Sequence, residues 1–293
     1  MSNSQPAILA PVPAMGRYLF FSMVNVDALS AALTRLVDVA DGTQTLVGLG
    51  PELVAALAVQ VPGLHPMQAI SGHGVDVPSL PVALCCWLRG SDRGDLVHLT
   101  RKIEKSLAPA LKLTQLIDAF RHGSGRDLTG YEDGTENPVD EAAVEAALVP
   151  GGQSGLAGSS FMAVQQWLHD LNAFDAMATV EQDNTIGRRL SDNEELKDAP
   201  PSAHIKRTAQ EDFEPPTFVV RRSMPWALGQ QAGLVFVAFG KSFDAFEAQM
   251  RRMVGQDDGV TDALFKISKP VTGAFFWCPP LHEGRLDLRL LGL

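Results

Sequence analysis

VALCCWLRGSDRGDLVHLTRKIEKSLAPALKLTQLIDAF, residues 82–120, is the stretch that decides the fold. Val82 to Leu88 is an apolar run too short for a free-standing helix, so it reads as a buried strand. From about Asp92 to Leu107 the apolar residues Leu96, Leu99, Ile103 and Leu107 fall on one helical face. Leu111 to Phe120 is strand-like again. The residues before this stretch repeat the order. Arg17 to Val24 (RYLFFSMV) is a buried strand, and Asn25 or Asp27 can cap a helix carrying Leu29, Leu33, Leu36 and Val37. Asp41-Gly42 ends that helix and Thr45 to Leu49 forms the next strand. Strand, helix, strand, taken twice, predicts a ferredoxin-like α+β sandwich. Pro51 to Val59 reads as a short helix, Pro62 to Pro81 as a long connection, and residues 1–15 as a loose extended arm.

Past residue 120 the pattern returns. Pro150-Gly151-Gly152 marks a boundary. Ser160 to Trp167 reads as a strand, about Leu168 to Val180 as a helix, and Thr217 to Arg222 and Leu234 to Phe239 as strands. Ser242 opens a helix through Met253 with Phe243, Phe246, Met250 and Met253 on one face, and Val271 to Trp277 closes the sheet. The strand, turn and amphipathic helix of 82–107 find an echo in 234–254, as an old duplication would leave. Two ferredoxin-like domains are expected, 1–150 and 151–293, each an antiparallel sheet with helices packed on it.

The composition narrows the function. Of 293 residues, 45% are hydrophobic and 20% charged, which is ordinary for a soluble globular protein. A net charge of -10 speaks against nucleic acid and against an anionic membrane as partners. No apolar run reaches the roughly 18 residues of a bilayer span. Three cysteines (Cys85, Cys86 and Cys278) are too few for a disulfide framework and lack metal-binding spacing, so a reduced, cytoplasmic compartment is expected.

The chemistry-bearing residues sit in loops between these elements. Gly130-Tyr131-Glu132-Asp133-Gly134-Thr135-Glu136-Asn137-Pro138 packs turn formers and acids into one run. It is either a solvated turn, with Asn137 capping a helix through Leu148, or a shaped loop presenting Asp133 into a pocket as an acid or base. Among seven histidines, His204 stands out within PSAHIKR (201–207), where Pro201 and Ser202 can start a short helix that fixes the imidazole direction. His65, His73, His98, His169 and His282 carry no such context, and His122 is a weaker candidate just before the acidic loop. Arg221-Arg222 lies on a predicted strand. Neighbours there point to opposite faces, so one guanidinium turns inward and needs an anionic or polar partner.

GYEDGTENP (130–138), IGRR (186–189), PSAHIKR (201–207), RRSMPW (221–226), GLVFVAF (233–239) and RMVGQDDGVTDAL (252–264) together resemble the dye-decolorizing peroxidase family, most closely its compact bacterial class B. The motifs stand in the family's order and span most of the chain. The resemblance implies two ferredoxin-like domains of the dimeric α+β barrel type and haem b (iron protoporphyrin IX) bound by the second. It implies His204 as the iron ligand, with Asp262 as the candidate acceptor for its other ring nitrogen and Asp257 and Asp258 as alternatives. It implies Asp133 as the distal proton shuttle and Arg221 as the distal arginine. Thr135 and Asn137 would shape the haem edge. Arg188 is either a propionate partner or a surface arginine, and Leu234 and Phe236 would wall the distal pocket. Ser223 departs from the pattern, because some class B members carry an asparagine there. The implied activity is reduction of hydrogen peroxide through a ferryl intermediate, with bulky dyes, phenolics or metal ions as electron donors. The alternative is a haem-handling protein with incidental peroxidase activity. A homo-oligomer is expected. The apolar run Leu286 to Leu293 is read either as packing on a neighbour or as a cargo tag for an encapsulin shell.

Overall fold

A computed structural model describes residues 3–72 and 74–293; His73 lies outside the described residues. Its main feature is one ten-stranded sheet in which every pairing is antiparallel. In the first half, Met15–Met23, Thr45–Leu49, Leu84–Gly90 and Leu111–Phe120 are ordered second, third, first, fourth. In the second half, Ser160–His169, Met224–Leu228, Gln231–Gly240 and Ala274–Cys278 repeat that order. This is the ferredoxin-like strand order, twice. A bridge from Trp277 to Leu49 and another from Ala119 to Trp226 join the halves. The 160–169 strand also pairs with the 231–240 strand, so the eight strands close into a barrel. The sequence expectation of an α+β barrel built from two ferredoxin-like halves matches this topology.

Alternation along the strands makes two apolar layers. Tyr18, Phe20, Trp87, Met162, Met224, Val237 and Phe276 belong to one buried cluster. Leu19, Phe21, Cys86, Phe161, Phe275 and Trp277 turn the other way and pack with the helices Leu29–Val37, Arg93–Leu107 and Asp244–Met253. Asp92 caps the 93–107 helix by accepting a hydrogen bond from the Asp95 amide at 3.0 Å. Leu96, Ile103 and Leu107 are its buried face, as their spacing predicts.

Several local expectations are corrected. The N-terminal arm is not loose: Pro6–Ile8 forms a turn of 3-10 helix, and Ala7 and Ile8 are fully buried. Gln5 explains why. Its side chain accepts from the Val47 amide at 2.8 Å and donates to the carbonyls of Val47 and Pro279, so the arm is hydrogen-bonded into the fold at both ends of the chain. The single helix expected over 168–180 is two, Leu171–Asp175 and Thr179–Ile186. The strand expected over 217–222 shrinks to Val220–Arg221, and Met224–Leu228 forms a strand despite Pro225. The C-terminal run does not project. Leu286, Leu288 and Leu291 are buried in the chain's own core, and Asp287 holds Arg289 at 2.6 Å.

Candidate active site

A cavity opens between the 231–240 strand, the 244–253 helix and the loop that precedes the 140–147 helix. Leu234, Phe236, Met250, Met253, Leu264 and Trp167 give it apolar walls. Asp133, Arg221 and His204, carried by three separate segments, all line it.

His204 is the first residue of a short helix, His204–Thr208. Its Nδ1 lies 2.8 Å from Oδ2 of Asp262, whose side chain is fully buried. The other Asp262 oxygen accepts from the Leu264 amide at 2.8 Å, which fixes the carboxylate. With Nδ1 so engaged, Nε2 is the nitrogen left for a metal. Asp257 and Asp258 are committed elsewhere: Asp258 takes a bidentate pair from Arg207 at 2.7 and 2.8 Å, and Asp257 faces Arg252 at 3.9 Å. The IGRR run supports the His204 helix from below. Gly187 has φ +98°, and a Cβ there would stand 2.4 Å from Ile205 Cγ1, so only glycine lets the two segments meet.

Asp133 and Arg221 also line a second, more polar passage, together with Arg121, Arg222 and Ser223. The two residues therefore stand where the cavity and the passage meet. Asn137 sets Arg221 in place. Its carbonyl oxygen accepts from the Arg221 amide at 2.8 Å, and its amide donates to the Arg221 carbonyl at 3.0 Å. With both side-chain groups so engaged, Asn137 does not cap the following helix, whose N-cap is Val139 without a side-chain hydrogen bond. Gly134, at φ +80°, leaves room for it, since a Cβ would lie 2.8 Å from Asn137 Nδ2. Arg222 turns away and donates to the Leu9 carbonyl at 2.6 Å.

Not every expected residue reaches the cavity. Arg188 is buried but ion-paired to Glu136, and it donates to the Asn193 carbonyl at 2.8 Å. Thr135 is exposed and accepts from Asn193 at 3.0 Å. Neither lines the cavity, and both belong to the scaffold of the loop. Ser223 lines the passage, where its short hydroxyl lies 3.5 Å from the Val237 amide. Trp226 is buried and donates to the Trp167 carbonyl at 3.0 Å, a packing position.

The structure adds residues the sequence did not single out. His169 bridges Asp127 (Nε2 to Oδ2, 3.0 Å) and Ser268 (Nδ1 to Oγ, 2.6 Å), and all three line the cavity. Burial alone would push the Asp127 carboxyl up. The hydrogen bond and charge of His169 and two hydrogen bonds from Thr129 outweigh that and hold it below the usual carboxylate range. Tyr131 donates to Asp183 at 2.5 Å, and its phenol is raised first by burial and then by that carboxylate.

The donor set fits a haem. Among the described residues no group of three or more His, Cys, Asp or Glu can hold a bare metal ion. A metal at His204 therefore needs its remaining ligands from a non-protein source, as porphyrin nitrogens supply them, and the apolar walls suit a porphyrin face.

Residues 124–283 match the family model for the Dyp-type peroxidase C-terminal domain. A dye-decolorizing peroxidase of Mycolicibacterium paratuberculosis is 33% identical over 222 residues, which cover 74% of this chain and 63% of that protein. This chain thus spans just under two thirds of that relative's length. A dye-decolorizing protein from V. cholerae superposes with a TM-score of 0.82 at 26% identity, over 98% of both chains. A DypB variant of Rhodococcus jostii in complex with heme superposes with a TM-score of 0.83 at 26% identity, over 93% of this chain and 95% of that one. With more than half its length matched by the family model and the same fold in these relatives, the chain belongs to the Dyp-type peroxidases.

Proposed function

We propose that this protein is a haem-dependent peroxidase that reduces hydrogen peroxide and oxidises bulky organic donors such as dyes and phenolics, or metal ions. The observation that carries the reading is the convergence of His204, Asp133 and Arg221 on one apolar-walled cavity. When bound, the haem supplies the iron at which the peroxide O–O bond is cleaved. His204 would hold it through Nε2. Asp262 fixes the ring tautomer and strengthens the imidazole as a donor. Asp133 takes a proton from the inner peroxide oxygen and returns it to the outer one, which leaves as water. The Arg221 guanidinium, carried on a backbone that Asn137 fixes, stabilises the negative charge that develops as the O–O bond breaks. Leu234 and Phe236 keep bulk water away from that transfer.

A haem-handling protein needs a ligand and a cavity, but not an acid and a guanidinium together at the mouth of a polar passage. That pair favours the enzyme. The domain division at 150/151 follows the two ferredoxin-like strand sets. Arg188 and Thr135 hold the loop through Glu136 and Asn193. Among the described residues no helix is long and apolar enough to cross a membrane. Three buried free thiols support a cytoplasmic location. Homo-oligomers are the expected assembly, and exposed Val139 and Phe218 border a wide groove available for it. Encapsulation through the Leu286–Leu293 run is disfavoured, because Leu286, Leu288 and Leu291 are buried in the same chain. Mixing the haem-loaded protein with one equivalent of peroxide tests the reading. A rapid shift of the Soret band is expected in wild type, greatly slowed in Asp133→Ala and Arg221→Ala. An unchanged spectrum in wild type would refute it.

A further inference from the structure

The polar passage that meets the cavity at Asp133 and Arg221 is lined by four arginines, Arg121, Arg126, Arg221 and Arg222, and by one carboxylate, that of Asp133. The chain as a whole carries a net charge of -10, so this concentration of positive charge runs against its average. Arg126 is neutralised by Glu132, with Nε 2.9 Å from Oε1. Among the described residues Arg121, Arg221 and Arg222 form no ion pair. Three guanidiniums against the single charge of Asp133 leave two positive charges without a counter-ion.

Hydrogen bonds do not replace the missing anion. Arg222 donates to two main-chain carbonyls, those of Arg221 at 3.0 Å and Leu9 at 2.6 Å, and neither carries a charge. The Nε atoms of Arg221 and Arg222 are buried and have no acceptor. Burial, and then the neighbouring charge of Arg89, push the Arg222 guanidinium down from its ordinary value. Arg89 is likewise engaged by carbonyls, those of Thr43 at 3.2 Å and Pro11. A cation drawn out of water in this way is stabilised by an anion whose oxygens fit the guanidinium fork. The Ser223 hydroxyl, also in the lining, accepts from the Val237 amide at 3.5 Å and keeps its proton free to donate.

We propose that the passage is a binding site for a small doubly charged oxyanion of the phosphate class, held by Arg121 and Arg222 with the Ser223 hydroxyl beside them. Two negative charges match the two left uncompensated, and the oxygens supply acceptors that the protein does not. Bound there, the anion stands in the way of peroxide approaching Asp133 and Arg221. That consequence rests on the peroxidase reading; the binding does not. Peroxide is uncharged, so the arginines themselves give it no comparable attraction.

Calorimetric titration of the haem-loaded protein with inorganic phosphate, at constant ionic strength in a zwitterionic buffer, tests the site. One-to-one binding is expected, with the Soret band unmoved because the anion does not reach the iron. Arg121→Glu reverses one exposed charge in the passage wall and should weaken binding about tenfold. In wild type the stopped-flow rate with peroxide should fall as phosphate saturates, at the calorimetric dissociation constant. In Arg121→Glu the rate without phosphate should match wild type, and about tenfold more phosphate should be needed to slow it. Phenyl phosphate, with the same charge on a larger body, should bind more weakly; tighter binding would make the occupant a phosphate ester and overturn the assignment to the free oxyanion. Absence of binding, equal dissociation constants in the two proteins, or a shifted Soret band would overturn the site. Binding that leaves the peroxide rate untouched would overturn the blocking role. Phosphate binding to a protein whose Soret band ignores peroxide would uphold the site and refute the peroxidase reading.

Discussion

The Nδ1 of His204 and the carboxylate of Asp262 lie 2.8 Å apart, with the carboxylate fully enclosed and anchored by the Leu264 amide. A buried negative charge on the far side of an imidazole makes that imidazole a stronger donor and fixes which nitrogen is free. Asp262→Asn should therefore keep the haem but raise its ferric/ferrous potential and reduce peroxide turnover by about 10–100-fold. Spectroelectrochemistry and single-turnover mixing check both.

Asp133 and Arg221 share the junction of cavity and passage but not the same task. Removing the proton shuttle with Asp133→Ala should slow the reaction with peroxide by about 10²–10⁴-fold. Removing the charge with Arg221→Leu should slow it by about 10²–10³-fold. Restoring an amide at the departing position, with Ser223→Asn, tests whether that side chain shifts the weight between the two. Stopped-flow rate constants for all three variants decide it.

Asn137 touches the Arg221 backbone twice and does not line the cavity. Asn137→Ala should cost about 1–3 kcal/mol of stability, because two buried-edge hydrogen bonds lose their partner. It should also slow the peroxide reaction, although no reacting atom is touched. Urea unfolding and stopped-flow mixing on the same variant separate the two effects.

Asp127 supplies the pH prediction. Its folded-state pKa is depressed, so the carboxylate contributes stability above its unfolded value, about 3.9, and that contribution is lost as pH falls through the lower folded value. Asp127→Asn should melt well below wild type at pH 7, and the gap should narrow as the pH drops below about 4. A constant gap from pH 7 to pH 3 would contradict the assignment.

Gly187→Ala should displace the His204 helix, because its Cβ would overlap Ile205 and its φ is left-handed. Weaker haem retention with an intact far-ultraviolet dichroism spectrum is the expected result.

Periodicity carried most of the barrel. The strands at 45–49 and 111–120 and the helix at 93–107 stand where alternation and 3.6-residue spacing put them. The failures have local causes. Val220–Arg221 is cut short because Gln210 and Gln249 take the backbone groups of Thr217 and Val219 that a longer strand would pair. The Met224–Leu228 strand was hidden by Pro225, which sits in the ladder opposite Leu234. The arm looked loose because nothing in Pro-Ala-rich sequence announces that Gln5 will satisfy Val47. At the cavity, His204, Asp133 and Arg221 were legible from motifs. The His169–Ser268 contact was not, because it depends on the register of a three-residue strand 99 positions away.

Closure of the eight strands leaves only short pieces, Ser268–Pro270 and Val220–Arg221, at the ends of the sheet. The seam between the halves is different: among the described residues the 111–120 strand meets the 224–228 strand through the single bridge Ala119–Trp226, which leaves most of its length as the margin on which another polypeptide can extend the ladder.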